Sequence, residues 1–317
     1  MNGTLLIAGG NIGATEQGKA DIFGRFSALC GGKRGKVMLA VCASGEAEES
    51  FRFNRELLLS AGIGEVVLLP LTETPALLGR SGWTNRADEA LLPLFDGVSG
   101  AWFSGGDQLH TARLLLQPDG SDTPVLGRMR RLLSDGGVIG GSSAGAAIMS
   151  RTMIVRGDDE GTLTLPVCTD AAAYCDNGGV SPEQLLLSRG LGFLPGGIVD
   201  QHFNRRARLQ RLLAAMEDAG ENEGFGISED TALEVSLSDR ALRVHGSAYV
   251  MHLTRSGDHH QKADCGAARR TIKLKSGGNQ HENQQTSLYS YGTCSCVRTH
   301  PHRLRQSVGW RQQGRRL

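Results

Sequence analysis

Short, nearly continuous apolar runs punctuate the chain at 4–8, 36–42, 65–69, 100–104, 138–141 and 197–200. Runs of that length, dense in Val, Ile, Leu and Ala, predict strands covered on both faces. Between them the spacing becomes that of amphipathic helices, as over 46–61 and 87–95. After Phe203, the residues Leu209, Leu212, Leu213 and Met216 fall at i, i+3, i+4 and i+7, which predicts a helix with one buried stripe. Gly220 would stop it. A later pair of strands is predicted over 231–236 and 241–245. Alternating strands and helices predict a mostly parallel sheet with helices on both sides.

From about Arg255 the periodicity is lost and Gln, Asn and His accumulate. The expectation is one α/β domain over 1–254 and a basic, polar tail over 255–317. That tail reads as poorly ordered or non-native, as an out-of-frame reading of the gene's end would be. Charge follows the same division. From Met251 onward there are 12 Lys+Arg against 3 Asp+Glu, whereas the first 250 residues carry 22 against 30. An acidic body gives no footprint for nucleic acid. No apolar run approaches a membrane span, and the N-terminus has no signal-peptide pattern. Cys30, Cys42, Cys168 and Cys175 lack framework spacing and read as reduced thiols, which suggests a cytoplasmic protein. Cys294 and Cys296 fit no standard zinc site, so neither metal nor cofactor is expected.

Candidate chemistry concentrates at Val138-Ile-Gly-Gly-Ser-Ser-Ala-Gly-Ala-Ala147. An apolar strand runs into a small-residue helix, and Gly141 and Gly145 frame Ser143 as G-x-S-x-G. A nucleophile elbow needs this: a sharp turn that small neighbours permit, with the hydroxyl exposed at the strand's C-terminal edge. A Ser that merely caps a helix would look similar. The strand–turn–helix context favours the nucleophile, and Ser142 lacks the flanking glycines.

A serine nucleophile needs a base, and the base an orienting acceptor. The first 250 residues hold three histidines: His110, His202 and His245. His202 follows the strand at 197–200, at the edge where functional groups of open α/β sheets collect. His110 reads as a surface residue early in a helix, and His245 as a structural residue in a strand. The acid could be Glu229 or its neighbour Asp230. The order Ser, His, acid differs from that of α/β-hydrolases.

Four segments together resemble the cyanophycinases, in the broader group that includes aspartyl dipeptidase. They are Phe103-Ser-Gly-Gly-Asp-Gln108, Gly141-Ser-Ser-Ala-Gly-Ala146, Asp200-Gln-His-Phe203 with Arg206, Arg208 and Arg211, and Gly226-Ile-Ser-Glu-Asp-Thr-Ala232. The resemblance covers about residues 4–250. It implies a three-layer α/β fold of the class I glutamine amidotransferase type, usually a homodimer. It also implies Ser143 as nucleophile, His202 as base and Glu229 as orienting acid. Gly106 and the N–H of Ala144 would line the oxyanion hole. Gln108, Asp200, Gln201, Arg206, Arg208 and Arg211 correspond to positions that bind substrate or build the site.

The implied substrate is cyanophycin, a poly-aspartate backbone with Arg on each β-carboxyl, and the product is β-Asp-Arg. Such a polymer offers carboxylates to Arg forks and guanidinium groups to acids such as Asp107 or Asp200. Two alternatives remain: an aspartyl dipeptidase, and a catalytically inactive binding protein on the same scaffold.

Overall fold

The computed structural model describes residues 2–75, 82–169, 181–256, 260–266 and 270–275. Five strands form a parallel core: β1 (Thr4–Ala8), β2 (Lys36–Ala40), β3 (Glu65–Leu69), β4 (Gly100–Phe103) and β5 (Val138–Ser142). Strands β10 (Thr231–Ser236) and β11 (Leu242–Gly246) extend it antiparallel. The resulting order is β11-β10-β1-β5-β4-β2-β3.

Alternate side chains of one strand feed two different cores, as period 2 requires. Leu5 and Ile7 of β1 join the core that contains Phe103 and Ile139. Leu6 and Ala8 join the opposite one, with Phe26 and Trp102. Helices α1 (Glu16–Leu29) and α2 (Ala47–Ser60) supply Ile22, Phe23 and Leu58 to that second core. Helices α3 (Gln108–Leu115) and α4 (Pro124–Ser134) supply Leu109, Leu115, Val125 and Met129 to the first. The molecule is therefore a three-layer α/β fold with a mostly parallel central sheet.

Helix α5 (Ala144–Ala147) follows β5 directly. A small antiparallel pair, β6 (Thr152–Arg156) and β7 (Leu186–Arg189), lies beyond it, with α6 (Asp159–Thr164) inserted. A second sheet begins with β8 (Ile198–Asp200) parallel to β9 (Glu223–Ile227). Between these strands lie α7 (Phe203–Arg206) and α8 (Leu209–Asp218). The stripe of Leu209, Leu212, Leu213 and Met216 packs on this second sheet with Ile198 and Leu253.

Two elements differ from their patterns. The helix expected over 87–95 is a tight 3-10 helix over Glu89–Phe95, with Pro93 inside it. In an α-helix the Pro93 ring would clash with the carbonyl four residues back, that of Glu89. The expected boundary at 254/255 falls inside β12 (Val250–Ser256), which pairs with β9. Two more antiparallel strands follow, β13 (His260–Gly266) and β14 (Arg270–Lys275). A four-residue alternation, Ile-Lys-Leu-Lys from 272, is the only strand signal there, and the polar surroundings hide it. The remainder of the expected tail, 276–317, lies outside the described residues.

Candidate active site

Ser143 sits between β5 and α5 at φ 56° and ψ −111°. This is a backbone that a residue with a Cβ seldom adopts, and strain of this kind clusters where a side chain must be aimed. The flanking glycines make the turn possible. A Cβ on Gly141 would lie 2.5 Å from the Gly145 carbonyl oxygen, and one on Gly145 would lie 2.4 Å from that of Phe103. The Ser143 N–H donates to the Ala8 carbonyl at 3.0 Å, which anchors the turn to β1.

His202 leaves the C-terminal end of β8 in the left-handed region, at φ 52°. Its Nε2 lies 2.9 Å from Ser143 Oγ. Its Nδ1 lies 2.7 Å from Glu229 Oε1. An ionised carboxylate only accepts, so Nδ1 carries the hydrogen and Nε2 is left to accept from the serine hydroxyl. The carboxylate on the histidine is thus that of Glu229. Asp230 faces elsewhere: it accepts from the Gly13 and Thr15 N–H groups and from the Thr15 and Ser247 hydroxyls.

Burial pushes the His202 imidazole below its usual range against the Glu229 hydrogen bond, and the positive charges of Arg206 and Arg208 push the same way. Burial raises the Glu229 carboxyl, but hydrogen bonds from Asn11 and His202 outweigh it and hold the group low. The pair is set as neutral imidazole beside carboxylate at neutral pH, which is the state a general base requires.

The turn after β4 completes the enclosure. A Cβ on Gly105 would stand 3.9 Å from Ser143 Oγ, and Gly106 has φ +137°. The Ala144 N–H opens α5, where no intrahelical carbonyl can reach it.

With that geometry in place, likeness to known proteins carries weight. Residues 100–242, which include both turns, His202 and Glu229, match peptidase family S51. Cyanophycinases of Synechococcus elongatus and of Thermosynechococcus vestitus are each 32% identical to the chain over 231 residues. The match takes in 71% of this chain and 60% of each relative. The chain is thus similar to the cyanophycinases and, over 100–242, to peptidase family S51. It spans about 60% of the length of these relatives. The cyanophycinase of Geminocystis herdmanii is 38% identical over 152 residues, 47% of either chain. The crystal structure of a peptidase from an acI-B1 actinobacterium superposes with a TM-score of 0.56, covering 86% of this chain and 98% of that one. At 20% identity it speaks for the fold alone.

The other expected site residues divide by burial. Asp200 is 1% exposed, and Arg211 grips both of its oxygens at 2.7 and 2.6 Å. Arg211 also donates to the Gly157 carbonyl at 2.5 Å. Arg208 donates to the backbone and side-chain oxygens of Gln201 at 2.6 and 3.1 Å. Gln108 is buried, and its Nε2 reaches the carbonyls of Ile154 and Val155. These five side chains bond to one another and to backbone. Asp200, expected to be available to a guanidinium, has both oxygens occupied, because the strand end that presents His202 turns it inward. Asp107 accepts from the Leu109 N–H and caps α3. Arg206 is exposed beside His202.

The other two histidines stand apart from this centre. His110 pairs with Glu73, and His245 with the buried Glu234. Among the described residues no cluster of His, Cys, Asp and Glu could hold a metal ion. No helix among them is long and apolar enough to cross a membrane.

Sequence reasoning passed over Gly10, Asn11 and Asn204. Asn11 Nδ2 donates to Glu229 Oε2 at 3.0 Å, and the Glu229 N–H donates to Asn204 Oδ1 at 3.0 Å. Gly10 lies flat beneath the imidazole, where a Cβ would come within 2.4 Å of the His202 ring. One signal was present: Gly9-Gly10-Asn11 directly follows the first strand, at the same sheet edge as Ser143.

Proposed function

We propose that the chain is a serine-type peptidase that hydrolyses cyanophycin to β-Asp-Arg dipeptides through an acyl-enzyme. The observation that carries this reading is the continuous contact from Ser143 Oγ to His202 Nε2, and from Nδ1 to Glu229, on a strained strand-to-helix turn. His202 takes the hydroxyl proton as Oγ attacks the scissile carbonyl, and Glu229 stabilises the imidazolium. The negative oxygen of the tetrahedral intermediate is received by the N–H groups of Gly106 and Ala144. His202 then protonates the leaving amine, which departs and leaves an ester on Ser143. A water, deprotonated by the same imidazole, hydrolyses that ester and restores the serine.

The likeness supports the substrate, because these relatives are named cyanophycinases. The exposed Arg206 and Arg205 beside the reaction centre suit the free α-carboxylates of the polymer. The buried Asp200–Arg211 and Gln201–Arg208 pairs build the floor from which His202 projects. The sequence pattern ends the catalytic domain at 1–254; we extend it through Ser256, the end of β12, and assign it to the cytoplasm, as a homodimer, without nucleic acid, membrane or cofactor.

The test is an assay on cyanophycin granules with the wild type and Ser143→Ala side by side. Release of β-Asp-Arg by the wild type, and its fall by about a thousandfold or more in the variant, is the expected result. Cleavage of Asp-X dipeptides but not of granules would replace the substrate with that of an aspartyl dipeptidase. Failure of the wild type to react with a fluorophosphonate would leave an inactive scaffold.

A further inference from the structure

We propose that Asn11 is a positioning residue of the reaction centre: its side-chain amide pins the outer carboxylate oxygen of Glu229 and so fixes the face that Glu229 turns to His202. The inference rests on the hydrolase reading above. A carboxylate that contacts a histidine through one oxygen is free to swing about its terminal bond unless the second oxygen is held. Two groups reach that oxygen here. Asn11 Nδ2 donates to it at 3.0 Å. Arg205 Nε stands 3.8 Å away on a side chain that is 70% exposed, where solvent screens it. The short contact is the amide's.

The amide is placed before any substrate arrives. The loop that carries it is tied to both segments it joins. The His202 N–H donates to the Gly9 carbonyl at 2.7 Å, and the Asp230 N–H to the Gly10 carbonyl at 2.9 Å. Two residues further on, the Gly13 N–H donates to Asp230 Oδ1 at 2.9 Å. Asn11 itself has φ 46°, a left-handed backbone that Asn tolerates far better than most side chains. The position thus asks for a residue that is at ease at positive φ and carries an N–H donor. Asn satisfies both demands; Gly and Asp satisfy only the first.

That distinction supplies the test. Asn11→Gly removes the amide and keeps the backbone. Asn11→Asp keeps the backbone and the shape but sets a second carboxylate against Glu229. The groups that face Glu229 are His202 and Arg205, and those that bear on His202 are Glu229, Arg206 and Arg208. Asp230 is occupied by Gly13, Thr15 and Ser247. A new negative charge makes His202 hold its proton more firmly, so the neutral base is lost at a higher pH.

The measurement is the second-order rate of fluorophosphonate labelling of Ser143 in the full chain, from pH 4 to 9, with a thermal melt of each variant. In Asn11→Asp the acid limb is expected to move up by about one pH unit, and the plateau to fall roughly tenfold. In Asn11→Gly no charge is added and the unpinned carboxylate loosens from His202, so the limb moves the other way, downward, and the plateau falls. Wild-type labelling with an unmoved limb and plateau in both variants would overturn the proposal. So would a loss that only follows the unfolded fraction, with the limb in place. A wild type that does not label at all would instead overturn the hydrolase reading.

Discussion

At the scale of single residues the site is an arrangement of unusual backbone. Ser143, His202 and Asn11 all have positive φ without being glycine. Each costs conformational energy that the surrounding hydrogen bonds must offset. Gly10 is the permissive residue among them. It stands at φ +104°, and its missing Cβ is the space the His202 ring occupies. Burial lowers the His202 pKa, and this sets the working range. The imidazole must be neutral to accept the Ser143 proton, and a lowered pKa keeps it neutral to a lower pH. Labelling of Ser143 is therefore expected to persist below the ordinary imidazole midpoint, about pH 6.5. A limb at or above that midpoint in the wild type would contradict the burial argument. In Glu229→Gln the carboxylate charge is lost, burial is unopposed, and the limb moves further down while the rate falls by about a hundredfold or more.

At the scale of elements, α8 holds β8 to the rest of the site through charge. Arg211 is 3% exposed and Asp200 1%, and two parallel hydrogen bonds join them. Removing Arg211 leaves Asp200 buried with only the longer ion pair to Arg208 Nη1 at 3.6 Å. Arg211→Met is expected to destabilise the chain by about 3–5 kcal/mol in urea unfolding, while Arg211→Met with Asp200→Leu recovers part of that loss, since Arg208 then loses its acid. A double variant no better than the single one would mean that the Gly157 contact of Arg211, not the pair, carries the stability. This pair also marks a limit of reading by sequence. Strands β1 and β4 and the elbow at Ser143 follow from local pattern, because burial on both faces and a tight turn each write themselves into neighbouring residues. Which way Arg208 and Arg211 point does not. Both lie off the apolar stripe of α8, a position that reads as a solvated face, and they are buried only because α6 and the end of β8 close over them. Asn11 was hidden for the same reason: its partner Glu229 is 218 residues away.

At the scale of the whole molecule, the reaction centre depends on a strand that the sequence pattern nearly abandons. Glu229 follows β9 by two residues, and β9 is held between β8 and β12. Strand β12 pairs with it from Val250↔Ile227 to Thr254↔Glu223, and buries Val250 in the core with Phe103 and Leu253 in the cluster on the second sheet. Phe225 of β9 stacks on His252 of β12 with ring centroids 4.6 Å apart. Without β12, β9 becomes an open edge, and the two apolar side chains lost with β12 would forfeit about 1.5–3 kcal/mol each. The functional boundary therefore belongs after β12. A chain ending at residue 256 is expected to fold and to label with fluorophosphonate at the rate of the full chain, since every contact to Ser143, His202 and Glu229 among the described residues precedes that point. A chain ending at residue 249 is expected to lose labelling together with its cooperative melt. Loss of both in the 256-residue chain would make β13 and β14 part of the catalytic unit. Full labelling by the 249-residue chain would mean that β9 holds Glu229 in place without its antiparallel neighbour.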